Sequence, residues 1–135
     1  MKAIAQRTTG FTHRIEIRQH QLLADEPTDQ GGEDGAPTPQ ELLAASLASC
    51  TAITMEMYAK RKGWDLGPVE VVCEYTMAER GSPTTFTIIM RLPSSCSEDQ
   101  IERLRVIAAK CPVHRTLDGE VMFNERVELA GPTTR

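Results

Sequence analysis

Two of the four cysteines lie at positions that suit thiol redox chemistry. Cys50 lies in the apolar helical run 42–55, and Cys111 precedes Pro112 where one predicted helix ends and another begins. A buried free cysteine usually behaves as a small hydrophobic residue, so an inert core position is the alternative for Cys50. Four hydroxyl side chains lie within one turn of Cys50, and hydroxyls are costly in a dry core unless something polar is bound there. These are Ser46, Ser49, Thr51 and Thr54.

Cys111 has a stronger local argument for reactivity. At a helix N-terminus its sulfur faces unsatisfied N–H groups and the positive end of the helix dipole, and both favour the thiolate. His114 and Arg115 follow within one turn and add positive charge. The alternative is a turn cysteine without a role. Cys73 is expected to pack in the core, and Cys96 lies in a polar loop with nothing nearby that recommends it as a catalyst.

Together, Cys50 and Cys111 have the features of a dithiol peroxidase pair. One thiolate attacks the O–O bond of a peroxide and becomes a sulfenic acid, which the second thiol converts to a disulfide. An external dithiol then restores both thiols by exchange. We therefore interpret Cys50 and Cys111 as catalytic. A metal site built from Cys50, Cys111 and His114 is a further alternative, although no CxxC motif supports zinc, and we expect neither a metal nor another cofactor.

Bulk properties restrict the class of protein. A chain of 135 residues fits a single domain, 1–135, and its net charge of −4 is scattered without a basic block, which argues against a nucleic acid partner. The N-terminus lacks the apolar stretch of a signal peptide. The apolar run is too short and too polar for a membrane span. These features predict a cytoplasmic protein that binds neither nucleic acid nor membrane.

The hydrophobic patterns predict the elements that position the two thiols. Strands are predicted at 2–8, 11–18, 21–24, 69–77, 84–92 and 120–129, with an irregular tail at 130–135. A loop at 25–37 precedes a long helix that starts with a capping box at Thr38 and runs to Lys62, and a second helix runs from Ser97 to Lys110. This order predicts an α+β fold with antiparallel sheets around a long central helix. The long helix is apolar on more than one side, and one sheet covers only one of them. The sequence therefore also predicts a homodimer, in which a second subunit covers the rest.

The motifs carrying these cysteines resemble the OsmC/Ohr family of osmotically inducible and organic hydroperoxide resistance proteins. Two stretches, 35–52 and 110–117, carry the resemblance, with support from residues 23–27, Gly31-Gly32 and 58–64. The resemblance implies an intertwined homodimer with its sites at the subunit interface. It also implies a thiol peroxidase that reduces organic hydroperoxides and is itself reduced by a dihydrolipoyl-type or similar dithiol. Cys50 matches the peroxidatic cysteine of the family and Cys111 matches the resolving one.

Two departures from the family pattern concern the groups that support the thiolate. Gln40 occupies a position where well-studied members carry a carboxylate that pairs with an arginine, and the carboxylate here is one residue later, at Glu41. The loop at 25–37 contains no arginine, which leaves Arg14 and Arg18 as candidates. A weakly active redox sensor, or a protein that binds a small apolar ligand, is therefore the alternative function.

Overall fold

The computed structural model describes residues 1–131 and begins with a three-stranded antiparallel sheet. Its strands are β1 (Ile4–Thr9), β2 (Thr12–Ile17) and β3 (His20–Ala24), in the order β1-β2-β3. The β2–β3 turn contains Arg18 with φ at 53°, a left-handed conformation that non-glycine residues seldom adopt. Within residues 1–131, this sheet has no extensive packing against the helices or against the second sheet.

The loop after β3 is held in place by one buried carboxylate. Asp25 accepts hydrogen bonds from the backbone N–H groups of Glu26 (2.7 Å) and Gly35 (3.1 Å) and from the Thr12 hydroxyl (3.1 Å). These hydrogen bonds hold the pKa of Asp25 below its usual value, and the bonds from the two backbone N–H groups have the largest effect. A Cβ atom on Gly32 would collide with the Glu26 carbonyl. The loop, which contains a short 3-10 helix at Thr28–Gln30, is therefore an ordered connector.

The central helix α1 (Pro39–Arg61) begins as the sequence predicts. Thr38 and Glu41 form a reciprocal capping box, in which the Glu41 carboxylate accepts from the Thr38 N–H at 2.9 Å. Over its 23 residues α1 is long and apolar enough to cross a membrane, contrary to the expectation drawn from the apolar run alone. Its packing against four other elements shows that it is the core helix of this fold.

The remaining elements pack around α1. Strands β4 (Glu70–Thr76) and β5 (Thr85–Arg91) form an antiparallel hairpin, and helices α2 (Glu98–Ala108) and α3 (Pro112–Leu117) follow. The core lies where α1 meets α2 and the hairpin, and its buried members are Met55, Tyr58, Ala59, Leu66, Leu104 and Ala108. The α+β fold with antiparallel sheets and a long central helix is therefore confirmed.

The predicted last strand is not formed. Residues 120–131 have no regular secondary structure, and the rest of the predicted tail lies outside the described residues. A strand requires a neighbouring strand for its hydrogen bonds, and this segment pairs with none in the described part of the chain. Its apolar side chains point into solvent, with Phe123 81% and Leu129 93% exposed. Since solvent exposure of so many large apolar groups is unfavourable, the segment is suited to a partner surface.

Candidate dithiol site

The contact between α1 and α3 brings Cys50 and Cys111 together. Cys50 projects from the middle of α1, and Cys111 is the N-cap residue of α3, which packs on α1. The two thiols lie close enough for the charge of one thiolate to act on the other, and both cysteines are free. Cys50 is half-buried, whereas Cys111 is 0% exposed. Of the two cysteines, Cys50 is therefore the one that retains some solvent exposure.

The Cys111 sulfur is held by two groups. The backbone N–H of His114 donates to it at 3.3 Å, as expected for the N-cap position. The hydroxyl of Thr51, a residue only 1% exposed, lies 3.8 Å from the same sulfur. The short helix α3 starts at Pro112, whose fixed φ suits the first helical position. The local backbone therefore fixes the direction of the Cys111 side chain.

The surroundings of Cys50 favour its neutral form. Burial raises the pKa of the Cys50 thiol, and the neighbouring Cys111 raises this pKa further. The Val113 N–H and the Thr54 hydroxyl face the Cys50 sulfur and lower its pKa, but they offset only part of the increase. Cys50 is consequently a weaker nucleophile at neutral pH than a peroxidatic cysteine that is paired with a cation.

The two predicted supporting residues at the start of α1 lie away from Cys50. Gln40 is about 15 Å along the helix from Cys50 and about 80° around it, and Glu41 is about 180° around it. Both line a cavity of about 520 Å³ that also contains Cys73 but not Cys50. Glu41 is occupied by the capping box. Burial raises the pKa of Cys73, and this thiol lies in the wall of the cavity, half-buried, instead of deep in the core.

The two candidate arginines belong to the N-terminal sheet. Arg14 donates to Gln6 at 3.4 Å and lies 3.2 Å from the Glu16 carboxylate, on the partly exposed sheet surface. Arg18 is exposed in the β2–β3 turn. Since this sheet does not pack on α1, neither arginine is placed beside Cys50 by the folding of one chain. Their role in holding the thiolate stays a prediction.

A cavity of about 470 Å³ with a mixed apolar and polar lining lies beside the α1–α3 contact. Leu43 and Leu47 form its α1 wall, and Cys50 follows Leu47 at i+3 on the same stripe of the helix. His114 contributes to the α3 wall, and its Nδ1 atom is buried without a hydrogen-bond partner among residues 1–131. The hairpin closes the cavity with Tyr75, Phe86 and Ile88. Apolar surface therefore extends from the region of Cys50.

Sequence reasoning anticipated the two thiols and the Thr54 hydroxyl that faces the Cys50 sulfur, but it did not anticipate the contact made by Thr51. Ser49 returns its hydroxyl to the Ala45 and Ser46 carbonyls and does not contact a sulfur. Thr51 contacts Cys111 and not Cys50, and only the docking of α3 reveals this contact. Cys96, in the loop before α2, is half-buried against the core. Across residues 1–131, no three potential ligands converge as a metal site, so the alternative with Cys50, Cys111 and His114 receives no support.

The fold and the site define a class, that of α+β proteins in which a long central helix carries one thiol and a following short helix presents another. The sequence profile of the OsmC-like protein family matches residues 31–126, and the chain therefore belongs to the OsmC-like family.

Solved structures share the fold at low sequence identity. An OsmC-like protein from Mycoplasma pneumoniae is 19% identical with a TM-score of 0.73, covering 87% of this chain and 86% of the other. An organic hydroperoxide resistance protein OsmC from Legionella pneumophila is 22% identical with a TM-score of 0.64, covering 88% and 90%. The organic hydroperoxide resistance protein OhrB of Bacillus subtilis is 17% identical with a TM-score of 0.59, covering 88% and 92%. No curated protein matches the sequence.

Proposed function

We propose that this protein is a thiol peroxidase that reduces organic hydroperoxides through a Cys50/Cys111 dithiol–disulfide cycle in oxidative-stress defence. The observation that carries the proposal is the approach of a half-buried cysteine on α1 to a fully buried cysteine on α3. Membership of the OsmC-like family, and the hydroperoxide resistance named for its structural neighbours, support a redox role. Four free thiols are consistent with a reducing, cytoplasmic setting.

The cycle has three balanced steps. The Cys50 thiolate attacks one peroxide oxygen, the O–O bond breaks, and the leaving alkoxide takes a proton from water while Cys50 becomes a sulfenic acid. Cys111 then attacks the Cys50 sulfur, and water leaves as the disulfide forms. A dihydrolipoyl-type dithiol reduces this disulfide by two exchange steps and is itself oxidised to a cyclic disulfide.

The cavity beside the site favours an organic peroxide over hydrogen peroxide. Its apolar lining residues Leu43, Leu47, Phe86 and Ile88 bury the hydrocarbon part of a substrate favourably. Thr84, His114 and Asp118 make the rest of the lining partly polar. Hydrogen peroxide has no apolar part and gains nothing from these walls. We therefore expect the preference for an organic hydroperoxide to come from substrate binding.

We further propose that the working form is a homodimer. The N-terminal sheet lacks extensive packing within one chain, and residues 120–129 expose large apolar groups. A second copy covers both surfaces, and it also brings an arginine of its N-terminal sheet toward Cys50, which one chain does not achieve. Arg14 and Arg18 are the candidates, with Gln40 or Glu41 as the polar group that orients the guanidinium.

The test is peroxide consumption by purified protein with dihydrolipoamide as reductant. The wild-type protein is expected to consume cumene hydroperoxide faster than hydrogen peroxide. The Cys50→Ser variant is expected to lose this activity. Cys73→Ser is the matched control, since it removes a half-buried thiol that lies in a different cavity. Full activity in Cys50→Ser would show that the assigned nucleophile is wrong.

A specific observation favours the second candidate, a redox sensor with little turnover. The raised pKa of Cys50, first through burial and then through Cys111, slows peroxide attack at neutral pH. In a sensor, each Cys50/Cys111 pair is oxidised once, and the disulfide is reduced again only slowly. Stoichiometric loss of free thiol without catalytic recycling, measured over many equivalents of peroxide, supports the sensor over the peroxidase.

A further inference from the structure

Thr51 makes two contacts that differ in direction. Its hydroxyl donates to the Leu47 carbonyl at 2.8 Å, the usual back-bond of a helical threonine to residue i−4. The same oxygen lies 3.8 Å from the Cys111 sulfur, across the α1–α3 contact. Because the hydroxyl already donates its single hydrogen to Leu47, its oxygen is available to accept from the Cys111 S–H.

The Cys111 sulfur is thus oriented by two partners of opposite kind. The His114 N–H occupies one sulfur lone pair at 3.3 Å, and the Thr51 hydroxyl oxygen, 3.8 Å away, is the acceptor available to the S–H. A thiol sulfur has two lone pairs, so one remains free. Cys111 acts on Cys50 across the same contact, and Cys50 is the electrophile after oxidation. Because Cys111 and Thr51 are 0% and 1% exposed, no solvent competes for these positions.

We propose that Thr51 is a positioning residue for the resolving step, which orients Cys111 so that its free lone pair faces Cys50. The inference rests on the proposed dithiol cycle. In this step the Cys111 sulfur forms a bond to the Cys50 sulfur and the S–O bond of the sulfenic acid breaks. The proton carried by Cys111 ends in the water molecule that leaves. The Thr51 hydroxyl acts only through Cys111, and it takes no part in the bonds that form and break.

Loss of the Thr51 hydroxyl is expected to affect the resolving step and not the attack on peroxide. Without the Thr51 hydroxyl, Cys111 loses its fixed direction, and disulfide formation slows while the first attack by Cys50 is unchanged. The sulfenic acid then persists and is oxidised further by a second peroxide molecule. A purely structural role of Thr51 predicts instead that both steps are slowed together or that the protein unfolds.

The variants Thr51→Val and Thr51→Ser test the hydroxyl separately from the side-chain shape. Valine keeps the volume and removes the oxygen, whereas serine keeps the oxygen and removes the methyl group. The background is Cys73→Ser/Cys96→Ser, which leaves only the two thiols of interest. Disulfide formation is driven by diamide, an azo oxidant that accepts two electrons and two protons as the pair closes. Mass spectrometry follows the Cys50–Cys111 disulfide.

Thr51→Val is expected to slow disulfide closure about threefold to tenfold, because it removes one hydrogen bond. Thr51→Ser keeps the hydroxyl and is expected to close at the parental rate. With cumene hydroperoxide, Thr51→Val is expected to accumulate Cys50 sulfinic acid while the first equivalent is consumed at the parental rate. Ser49→Ala is the control, because its hydroxyl bonds only within α1. Thr51→Ala repeats the test should the valine variant not fold.

Closure at the parental rate in Thr51→Val, or equal slowing in Thr51→Ser, would overturn the inference. The diamide measurement does not require peroxidase activity. If the wild-type protein does not react with peroxides, but the Thr51 variants change the rate of diamide-driven closure as expected, only the proposed function is refuted. Peroxide turnover with unchanged closure in Thr51→Val refutes the positioning role alone.

Discussion

Cys50 and Cys111 interact across the contact between α1 and α3, although they come from distant parts of the chain. Burial is the main reason that the pKa of Cys50 is raised, and Cys111 adds to the effect. Because the Cys50 thiol is favoured in its neutral form, the fraction of Cys50 present as the attacking thiolate rises with pH.

The pH dependence of Cys50 alkylation tests this relationship. In the Cys73→Ser/Cys96→Ser background, alkylation of Cys50 by iodoacetamide is expected to rise with pH and to have its midpoint above that of a free thiol, because only the thiolate reacts. Adding Cys111→Ser removes one of the groups that raise the pKa. The midpoint is then expected to move to lower pH, and a midpoint that stays in place would contradict direct interaction of the thiols.

Removing the resolving thiol alone is expected to change the product and not the first reaction. Cys111→Ser should consume one equivalent of cumene hydroperoxide and then accumulate sulfinic acid on Cys50, because no second thiol intercepts the sulfenic acid. Intact-mass analysis after increasing peroxide additions measures the gain of oxygen. An unmodified Cys50 under these conditions would show that another cysteine is the site of attack.

The departure at Gln40 leads to a prediction about rate. Gln40→Glu is expected to raise peroxide consumption by pairing with an arginine that then stabilises the Cys50 thiolate, an effect of about tenfold for each ~1.4 kcal/mol gained. The gain should disappear when the contributing arginine is removed, as Arg14→Gln or Arg18→Gln. A gain that survives in both arginine variants would exclude the ion pair as its cause.

Asp25 predicts a specific acid sensitivity of the loop at 25–37. Its pKa is lower in the folded state than in the unfolded chain, chiefly because the N–H groups of Glu26 and Gly35 bind the carboxylate. This stabilisation is present above the unfolded pKa and is lost as pH falls through the lower folded value. Asp25→Asn should therefore lower the melting temperature at neutral pH and reduce its fall in acid. Glu33→Gln, at an exposed position in the same loop, is the control.

The exposed segment at 120–129 predicts an effect on assembly. Phe123→Asp is expected to weaken the proposed homodimer at least about tenfold, because it places a charge in an apolar contact. Val106→Asp, on the exposed face of α2, is the control and should leave the association unchanged. Sedimentation velocity over a concentration series measures both. A wild-type protein that remains monomeric at all concentrations would contradict the dimer.

Much of the fold was predictable because its signals are local. The capping box at Thr38 and Glu41, the alternation in β4 and β5, and Pro112 after Cys111 each act within a few residues, and the structure forms the corresponding elements. The segment at 120–129 also carries a strand pattern, but a strand is completed only by a neighbour, and residues 1–131 offer it none.

The sequence by itself determined the long helix that carries Cys50, the helix start that presents Cys111, and the family to which both motifs belong. Only the tertiary structure decided that α3 docks on α1, that Thr51 faces Cys111, and that Arg14 lies away from Cys50. The physical reason is that capping and hydrophobic periodicity act over a few residues, whereas contacts between α1 and α3 depend on how packed surfaces fit together.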